Sequence, residues 1–528
     1  MTTFPRLVRL FTNVRFRRLV VSGTTVVVGA GACAYYWPEI AFFGRTVGRA
    51  TRTAFTVGLI SLDYKRHFPR AVDLHPLGEE EWRRRRNKVH MRGAQRLLLL
   101  FQQNGGIYIK VGQHLAALEY ILPPEYSSKM AVLQNAAPQS SLAEVAHVIL
   151  DEFGCPMHKV FSTFDVTPIG AASLAQVHRA VLRDTGEEVA VKVQHRRLQS
   201  HMDSDMFVIA TAVKVVRRIF PEFDLNWVAE EMKTNLPKEL DFVHEGHNSE
   251  RLLKNLQHYG RTSLSGPGTV VRIPKVHWDF TSKRVLTMEY LPGAKATDRR
   301  FMEQNSIDPH QVSSLITQVF SEMIFIHGFV HCDPHPGNLL VRPRPLSSGW
   351  SLFRLWRQPF ELVVIDHGLY RELSDVFRHD FAGLWKSVLE ADEVQMKHYA
   401  ERLGGGDAHR LFSCILTQRS WQTISTGGLV APRSASERAE ILAKAPEYLG
   451  QVAELLARVP RQLLLVLKTN DLLRHLERAL ARPDEPSRTF TIMAHYCLDV
   501  VGDSFLRRCY LHLKLYLLDI YLRFLYKL

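Results

Sequence analysis

The chain has 528 residues, 46% of them hydrophobic and 23% charged, which is the composition of a folded globular protein. Its net charge of +14 favours anionic partners such as nucleotides and acidic lipid surfaces. The sequence contains no pattern typical of an RNA- or DNA-reading module, so we expect no nucleic-acid partner. The six cysteines are widely separated and include no CxxC pair, which argues against a disulfide framework or a zinc knuckle.

The N-terminal segment, residues 1–18, contains five arginines and no acidic residue. This composition is typical of a mitochondrial import segment. The uncharged run at 19–37 is long enough to span a bilayer as a helix. We therefore predict a mitochondrial protein of the inner membrane; a single long presequence and a signal anchor for another membrane are the alternatives. If import stops with the arginines in the matrix, the rest of the chain faces the intermembrane space.

Two charged segments outside the predicted catalytic core have helical spacing. Four arginines follow three glutamates at 79–86, and a helix there would pair Glu79 with Arg83 and Glu80 with Arg84. The C-terminal segment 505–528 alternates leucine and tyrosine with regularly placed charges. This pattern predicts an amphipathic helix, either lying in a membrane interface or docked on the protein.

A strand-like segment and a small-residue segment before it predict a nucleotide site. Residues 187–194 alternate valine and alanine around one lysine, Lys192, and a lysine on a strand is suited to pairing with nucleotide phosphates. About 20 residues upstream, small residues allow the backbone to approach and bind phosphates. The predicted phosphate-loop residues are Gly170, Ala171, Ala172 and Ser173.

The segment His331–Asn338 has the spacing of a kinase catalytic loop. Asp333 and Asn338 have the five-residue offset of HRDxxxxN, which predicts that Asp333 accepts a proton and that Asn338 binds a metal ion. A buried-strand pattern at 361–365 leads directly into Asp366-His-Gly, the equivalent of DFG. Asp366 is therefore predicted to bind Mg²⁺, because hard cations prefer carboxylate oxygens.

A different interpretation of the same segment is a transition-metal site. His331, Asp333 and His335 alternate, so on a strand they would share one face and could bind a metal ion of a hydrolase. That hypothesis leaves the strand lysine, the loop asparagine and the second aspartate without a role. The order and spacing of all these residues favour the kinase-like interpretation.

These motifs resemble the UbiB family, also called AarF-domain-containing kinases, an atypical branch of the kinase-like fold. The family's KxGQ motif reads Lys110-Val-Gly-Gln113 here, and its ExD motif reads Glu239-Leu-Asp241. The resemblance implies that Lys110 lies at the mouth of the active site, facing Glu239 and Asp241, and that these three residues are catalytic. It also implies that Gln113 takes part in cofactor binding. Gly170 departs from the family's run of alanines in the phosphate loop.

The acidic partner of Lys192 is left open by the residues alone, since both Glu239 and Glu245 are candidates. The resemblance implies Glu245, in the role of the mobile-helix glutamate of kinases. It further implies an α+β, protein-kinase-like fold of two lobes with ATP and Mg²⁺ as cofactors, an N-terminal helical KxGQ extension and a C-terminal helical region. The predicted domains are a targeting segment (1–18), a membrane helix (19–37), a linker (38–90), the KxGQ extension (91–165), the N-lobe (166–291), the C-lobe (292–405), C-terminal helices (406–504) and a terminal helix (505–528).

Three functions fit these motifs. The first is an ATP-dependent kinase or ATPase acting on membrane lipids or organisation in mitochondria, with membrane lipids and membrane proteins as partners. The second is a nucleotide-switched adaptor that needs no chemistry. The third is a conventional protein kinase, which is disfavoured because Cys332 replaces the HRD arginine and no Ala-Pro-Glu platform follows Asp366. Asp333 favours chemistry, since an adaptor needs no proton acceptor.

Overall fold

A computed structural model gives the fold of most of the chain. The described residues are 25–68, 79–116, 122–134, 139–196, 198–220, 226–258, 271–344, 359–426, 437, 455, 459–480, 489–502 and 504–526.

The described elements are helices and short strands in mixed order. The helices are α1 Thr25–His67, α2 Glu79–Asn104, α3 Ile107–Ala116, α4 Pro124–Met130, α5 Leu142–Phe153, α6 Met157–Val160, α7 Leu198–Ile219, α8 Asn226–Glu239, α9 Phe242–His258, α10 Arg299–Gln304, α11 Pro309–Ser321, α12 Asp375–Glu390, α13 Glu393–Arg402, α14 His409–Thr417, α15 Trp421–Ser425, α16 Arg461–Leu480, α17 Thr489–Val500 and α18 Phe505–Tyr526. The strands are β1 Phe161–Phe164, β2 Gly170–Ala171, β3 Ala175–Leu182, β4 Glu188–Gln194, β5 Val271–Arg272, β6 Val285–Glu289, β7 Ala294–Lys295, β8 Phe329–His331, β9 Leu339–Pro343, β10 Phe360–Val364 and β11 Tyr370–Glu372.

The chain divides into two compact units, and the first combines two separate parts of the sequence. It contains the residues up to Gly112 together with Arg197–Lys233. Arg49 on α1 is ion-paired with Asp205 on α7, so the inserted helix joins the N-terminal helices. Part of the range 166–291, which was predicted as the N-lobe, thus belongs to the helical unit.

Within this helical unit, α1 and α2 are joined through one half-buried carboxylate, that of Asp63. Asp63 on α1 accepts hydrogen bonds from Arg92 at 2.8 and 3.0 Å and from Arg96 at 2.7 Å. These hydrogen bonds, from Arg92 above all, outweigh burial and lower the pKa of Asp63 to about 2. On the exposed surface of α2, the predicted pair of Arg84 with Glu80 is present at 2.7 Å.

The second unit contains a sheet of five strands that corresponds to a kinase N-lobe. Its order is β1-β3-β4-β6, with β2 paired to β3, and neighbouring strands in this sheet are antiparallel. Val189, Val191 and Val193 of β4 face a core shared with Val148 and Ile149 of α5. The sheet begins at β1, inside the segment 91–165 that was predicted to be helical extension.

The larger core of this unit includes the C-terminal helices. Val319 of α11, Trp385 of α12, Met396 of α13, Val466 of α16 and Met493 of α17 are all fully buried in it. The ranges 292–405 and 406–504 were predicted as separate regions. Their side chains share one hydrophobic core, so these regions fold together as one C-lobe.

The segment predicted as a membrane helix and linker is continuous helix over much of its length. The predicted targeting segment 1–18 and residues 19–24 lie outside the described residues. From Thr25 the chain forms one helix of 43 residues, which includes 38–67 of the predicted linker. Among the described residues, no helix is both long enough and apolar enough to cross a membrane.

Asp63→Asn should destabilise the α1–α2 contact by about 1 kcal/mol at pH 7, because Arg92 and Arg96 would lose their charged acceptor. The effect is modest because solvent screens part of the attraction between these charges. The folded-state pKa is lowered, so the wild-type advantage is fully present above the unfolded value of 3.8 and is lost as the pH falls through about 2. Hydrogen exchange of α1 and α2 measures the local free energy of opening.

The matched control for this prediction is Glu80→Gln, which removes an ion pair exposed on both sides. It should change exchange much less than Asp63→Asn does. Equal hydrogen exchange in the two variants would show that the carboxylate of Asp63 does not join α1 to α2.

Candidate active site

Lys192 lies on the face of β4 opposite the packed valines. Its neighbours across the sheet are Val177 on β3 and Leu286 on β6. Since side chains alternate along a strand, packing Val191 and Val193 into the core directs Lys192 to the other face. There the Lys192 side chain is only 13% exposed, so its charge requires partners.

Two carboxylates hold the Lys192 ammonium group. Its Nζ donates to Glu245 at 2.8 and 2.9 Å and to Asp366 at 2.8 Å. Burial alone would lower the pKa of Lys192, but the negative charges of Asp366 and Glu245 outweigh it and raise that pKa. Burial, with the charge of Asp366, raises the pKa of Glu245 to about 7 although Lys192 opposes the shift. The structure thus contains the Lys192–Glu245 pair that the family resemblance implied.

Glu245 is positioned by the N-terminus of α9. Asp241 lies just before this helix, and its Oδ1 accepts the backbone N–H of Val243 at 3.1 Å and of His244 at 3.4 Å. Asp241 is therefore a helix-capping residue, which fixes the first turn where Glu245 lies. Glu239 ends α8, is 7% exposed, and has its Oε1 3.9 Å from His114 Nε2. The three acidic residues thus contact different groups. Glu239 lies near His114, Asp241 accepts backbone N–H groups of α9, and Glu245 pairs with Lys192.

Asp366 follows β10 in a left-handed backbone conformation. Its φ of 61° is uncommon for a residue with a Cβ and turns the chain sharply after the strand. Neighbouring backbone groups fix this turn: Ile365 N–H donates to Asn338 O, and Asn248 donates to His367 O, both at 3.0 Å. Sequence analysis missed Asn248, although it lies three residues after Glu245 on the same helix face.

The catalytic-loop residues Asp333 and Asn338 lie together. Asn338 Nδ2 donates to the backbone oxygen of Asp333 at 3.1 Å and to its Oδ2 at 3.4 Å. The Asp333 N–H donates to Nδ1 of His331, which is buried, and burial lowers the pKa of His331. Strand β8 ends at His331, and His335 is exposed with Nδ1 bound to the Gly337 N–H. The three residues of the transition-metal hypothesis therefore do not share a strand face.

A short two-stranded ladder supports this loop. Tyr370 on β11 is opposite His331 on β8, and the Cys332 N–H donates to Leu369 O at 3.1 Å. Cys332 is fully buried, and burial raises its thiol pKa to about 12. A buried neutral thiol thus occupies the position of the kinase HRD arginine. Only eight residues separate Asp366 from the first residue of α12, Asp375.

The predicted phosphate loop is anchored at two points. Gly170 and Ala171 form the exposed strand β2, while Ser173 is buried and its Oγ donates to Oε1 of Gln113 at 3.3 Å. The Gln113 amide in turn donates to Leu133 O at 3.0 Å. The glutamine of the KxGQ motif is therefore a direct neighbour of the loop, and its role in cofactor binding stays a prediction.

His195 holds the other side of the loop and was also missed. Its Nε2 is 3.0 Å from the carbonyl oxygen of Ala172, and its Nδ1 is 2.8 Å from Ser140 Oγ. The geometry assigns the proton to Nε2, which donates to the carbonyl, while Nδ1 accepts from the hydroxyl. The sequence feature that could have indicated this role is the position of His195 directly after β4, three residues from Lys192.

Residues 132–400 match the model of the ABC1 atypical kinase-like domain. The chain is 44% identical over 467 residues to AarF domain-containing protein kinase 1 of Mus musculus, covering 87% of this chain and 84% of that protein. The protein of that name from Xenopus laevis is 43% identical over 463 residues (88% and 84% covered). AarF domain-containing kinase 1 of Drosophila melanogaster is 40% identical over 478 residues (89% and 88% covered).

The chain belongs to the ABC1 atypical kinase-like family. The family resemblance and the two-lobed kinase-like fold of mixed helix and sheet are confirmed. The roles of the individual site residues stay predictions. That holds above all for Lys110, which is half-buried on α3 in the helical unit, and for its expected contact with Glu239 and Asp241.

Gly328→Ala should destabilise the fold by about 2 kcal/mol or more. Gly328 has a φ of 62° and begins the turn into β8, and an added Cβ would lie 2.8 Å from Leu373 O and 2.9 Å from the Arg378 side chain. Thermal unfolding measures the loss. Gly186→Ala is the matched control, because Gly186 has a φ of 70° with nothing within 4 Å and would add backbone strain alone. Equal losses in the two variants would contradict the close packing under the catalytic loop.

Proposed function

We propose that this protein binds ATP with Mg²⁺ and uses it, as a kinase or ATPase, at the inner mitochondrial membrane in support of membrane lipid homeostasis and mitochondrial organisation. The observation that carries the proposal is the lysine held between Glu245 and Asp366, beside a loop that presents Asp333 and Asn338. Each of these residues has a counterpart in phosphoryl-transfer sites of kinase-like folds.

The residues present fit the proposed cofactors. The side chain of Asp366 is 46% exposed, whereas those of Lys192 and Glu245 are 13% and 3% exposed. The accessible carboxylate of Asp366, with the amide oxygen of Asn338, offers the oxygen ligands that Mg²⁺ prefers. Glu245 holds Lys192 charged and oriented toward the nucleotide phosphates. The magnesium ion would supply neutralisation of phosphate charge.

The phosphate loop would contribute positioning. Its small residues permit close approach of the backbone, and the hydrogen bonds to Gln113 and His195 limit its movement. Asp333 would orient an acceptor hydroxyl or a water and receive its proton. Asn338, which donates to Asp333 Oδ2, would keep that carboxylate in place.

Two observations support a non-peptide acceptor. Cys332 is buried and uncharged, so a phosphorylated loop would find no arginine at this position. Three of the eight residues between Asp366 and α12 pair with β8 as β11, which leaves little chain to form a peptide platform. A small or lipid-like molecule is the acceptor class that suits this site.

Asp333→Asn should retain MgATP binding and lose phosphoryl transfer or hydrolysis by about 10²-fold or more, because the proton acceptor is removed while the binding groups remain. Isothermal titration of MgATP and release of phosphate by the full chain are the measurements. Lys192→Met should instead weaken MgATP binding itself. Asp184→Asn, an exposed aspartate in the turn before β4, is the matched control.

The adaptor hypothesis makes the opposite prediction for this variant. If Asp333→Asn protein fully rescues cells lacking the wild-type chain, chemistry is dispensable and ATP binding alone acts as the switch. If the purified wild-type chain binds no MgATP, both hypotheses fail.

Residues 1–18 should direct a fused reporter to mitochondria, and their five arginines should be required for it. Replacing these arginines with glutamine, without changing the length of the segment, should abolish import; fluorescence colocalisation is the readout. For the full chain, protease added after rupture of the outer membrane should digest the catalytic unit if it faces the intermembrane space. A reporter that is imported equally well without the arginines would contradict the targeting role.

A further inference from the structure

Where the structure describes the side chains of terminal helix α18, at 505–517 and 520, apolar residues lie on two faces, and one of these faces is packed. Leu515 is buried against Ala494 and Leu498 of α17. His512 on the same side of α18 stacks on His495, with their Nδ1 atoms 2.9 Å apart. These contacts dock the helix on the C-lobe, so the docked alternative for segment 505–528 is the one the structure contains.

The second face of α18 is exposed. Its large apolar side chains have exposed fractions between 45% and 79% and are Phe505, Leu506, Tyr510, Leu513, Tyr516, Leu517 and Ile520. At 100° per residue they cover about 140° of the helix circumference and extend for about 22 Å along the helix axis. Monomeric proteins rarely expose so continuous an apolar strip without a partner.

Cationic residues lie beside the exposed apolar strip. Arg507 and Lys514 flank one edge, and the segment 505–528 contains five basic residues and one acidic residue. Three of the seven exposed apolar side chains are aromatic, the type that places a ring among lipid chains and a polar edge among headgroups. The strip therefore combines an apolar surface with positive charge at its border.

We propose that this face of α18 is a docking surface for an anionic lipid bilayer, with the helix lying flat in the headgroup region while Leu515 keeps it attached to the C-lobe. The apolar strip would enter the acyl boundary, and Lys514 would contact lipid phosphates. This inference goes beyond the proposed function, because it requires neither a nucleotide nor a membrane-spanning helix.

A second copy of the chain fits this surface less well. A coiled-coil seam uses two positions in seven, whereas here Phe505 and Tyr516 widen the apolar face beyond such a seam. Pairing two copies of α18 would bring together two strongly basic helices with a single acidic residue, Asp519, in each. An anionic bilayer matches both the width of the apolar strip and the positive charge beside it.

The test uses the full chain with an environment-sensitive fluorophore on Cys509, which is exposed on the same face of α18. Replacing Cys33, Cys155 and Cys414 by serine leaves otherwise only the buried Cys332 and Cys497. Phosphatidylcholine vesicles containing phosphatidylglycerol should increase the emission and protect the probe from aqueous iodide. Pure phosphatidylcholine and high salt should weaken both effects.

The control probe sits on Val394→Cys in a Cys509→Ser background, because Val394 is an isolated exposed valine (76%) on α13. This probe should stay accessible to iodide on the same vesicles. Leu513→Glu with Leu517→Glu should lower the vesicle-induced change at Cys509 about tenfold or more. Both leucines are exposed, so unfolding temperature should be unchanged.

Three results would overturn the proposal. The Cys509 probe could remain fully accessible to iodide in vesicle-bound protein, which would place the membrane contact elsewhere. The two glutamates could leave the signal unchanged. Protection could also appear without vesicles and rise with protein concentration, which would identify the strip as an interface between copies of the chain.

Discussion

The second unit of this protein depends on one buried cation and its two carboxylates. Lys192 comes from a central strand, Glu245 from the first turn of a helix and Asp366 from the turn after another strand, 174 residues from the lysine in sequence. Leaving any one of these charges buried without its partners would be costly. The pairing therefore requires the sheet, α9 and the C-lobe to meet at one point, and that point is the candidate site.

The three charges are not equally covered, and this difference matters for function. The Glu245 side chain is 3% exposed and orients the lysine, whereas the Asp366 side chain is 46% exposed to solvent. Of these three side chains, Asp366 is therefore the one that solvent reaches most readily. Asp333 and Asn338 are connected to the turn that carries Asp366, because the Ile365 N–H donates to the backbone oxygen of Asn338 and Asn338 in turn donates to Asp333.

Much of this site was predictable because its motifs are local. The offset from Asp333 to Asn338 and the strand before Asp366 specify their positions from neighbouring residues alone. The partner of Lys192 was open between two glutamates, and family resemblance was needed to choose Glu245. The joining of α7 to the N-terminal helices could not be predicted, because it depends on long-range pairs such as Arg49 with Asp205. The helix cap formed by Asp241 was also not predicted, because the ExD motif was interpreted as part of the catalytic site and not as the start of a helix.

Regulation of such a site has to act where the structure leaves freedom. The segment after Asp366 is short and is fixed by the β8–β11 ladder, with buried Cys332 beneath it, so phosphorylation there has neither loop nor arginine to use. The phosphate loop differs. Its strand β2 is exposed and only two residues long, and Ser173 is held by a single 3.3 Å hydrogen bond to Gln113. If this loop binds phosphates as proposed, a change at Gln113 would act on nucleotide binding and leave the contact of Asn338 with Asp333 in place.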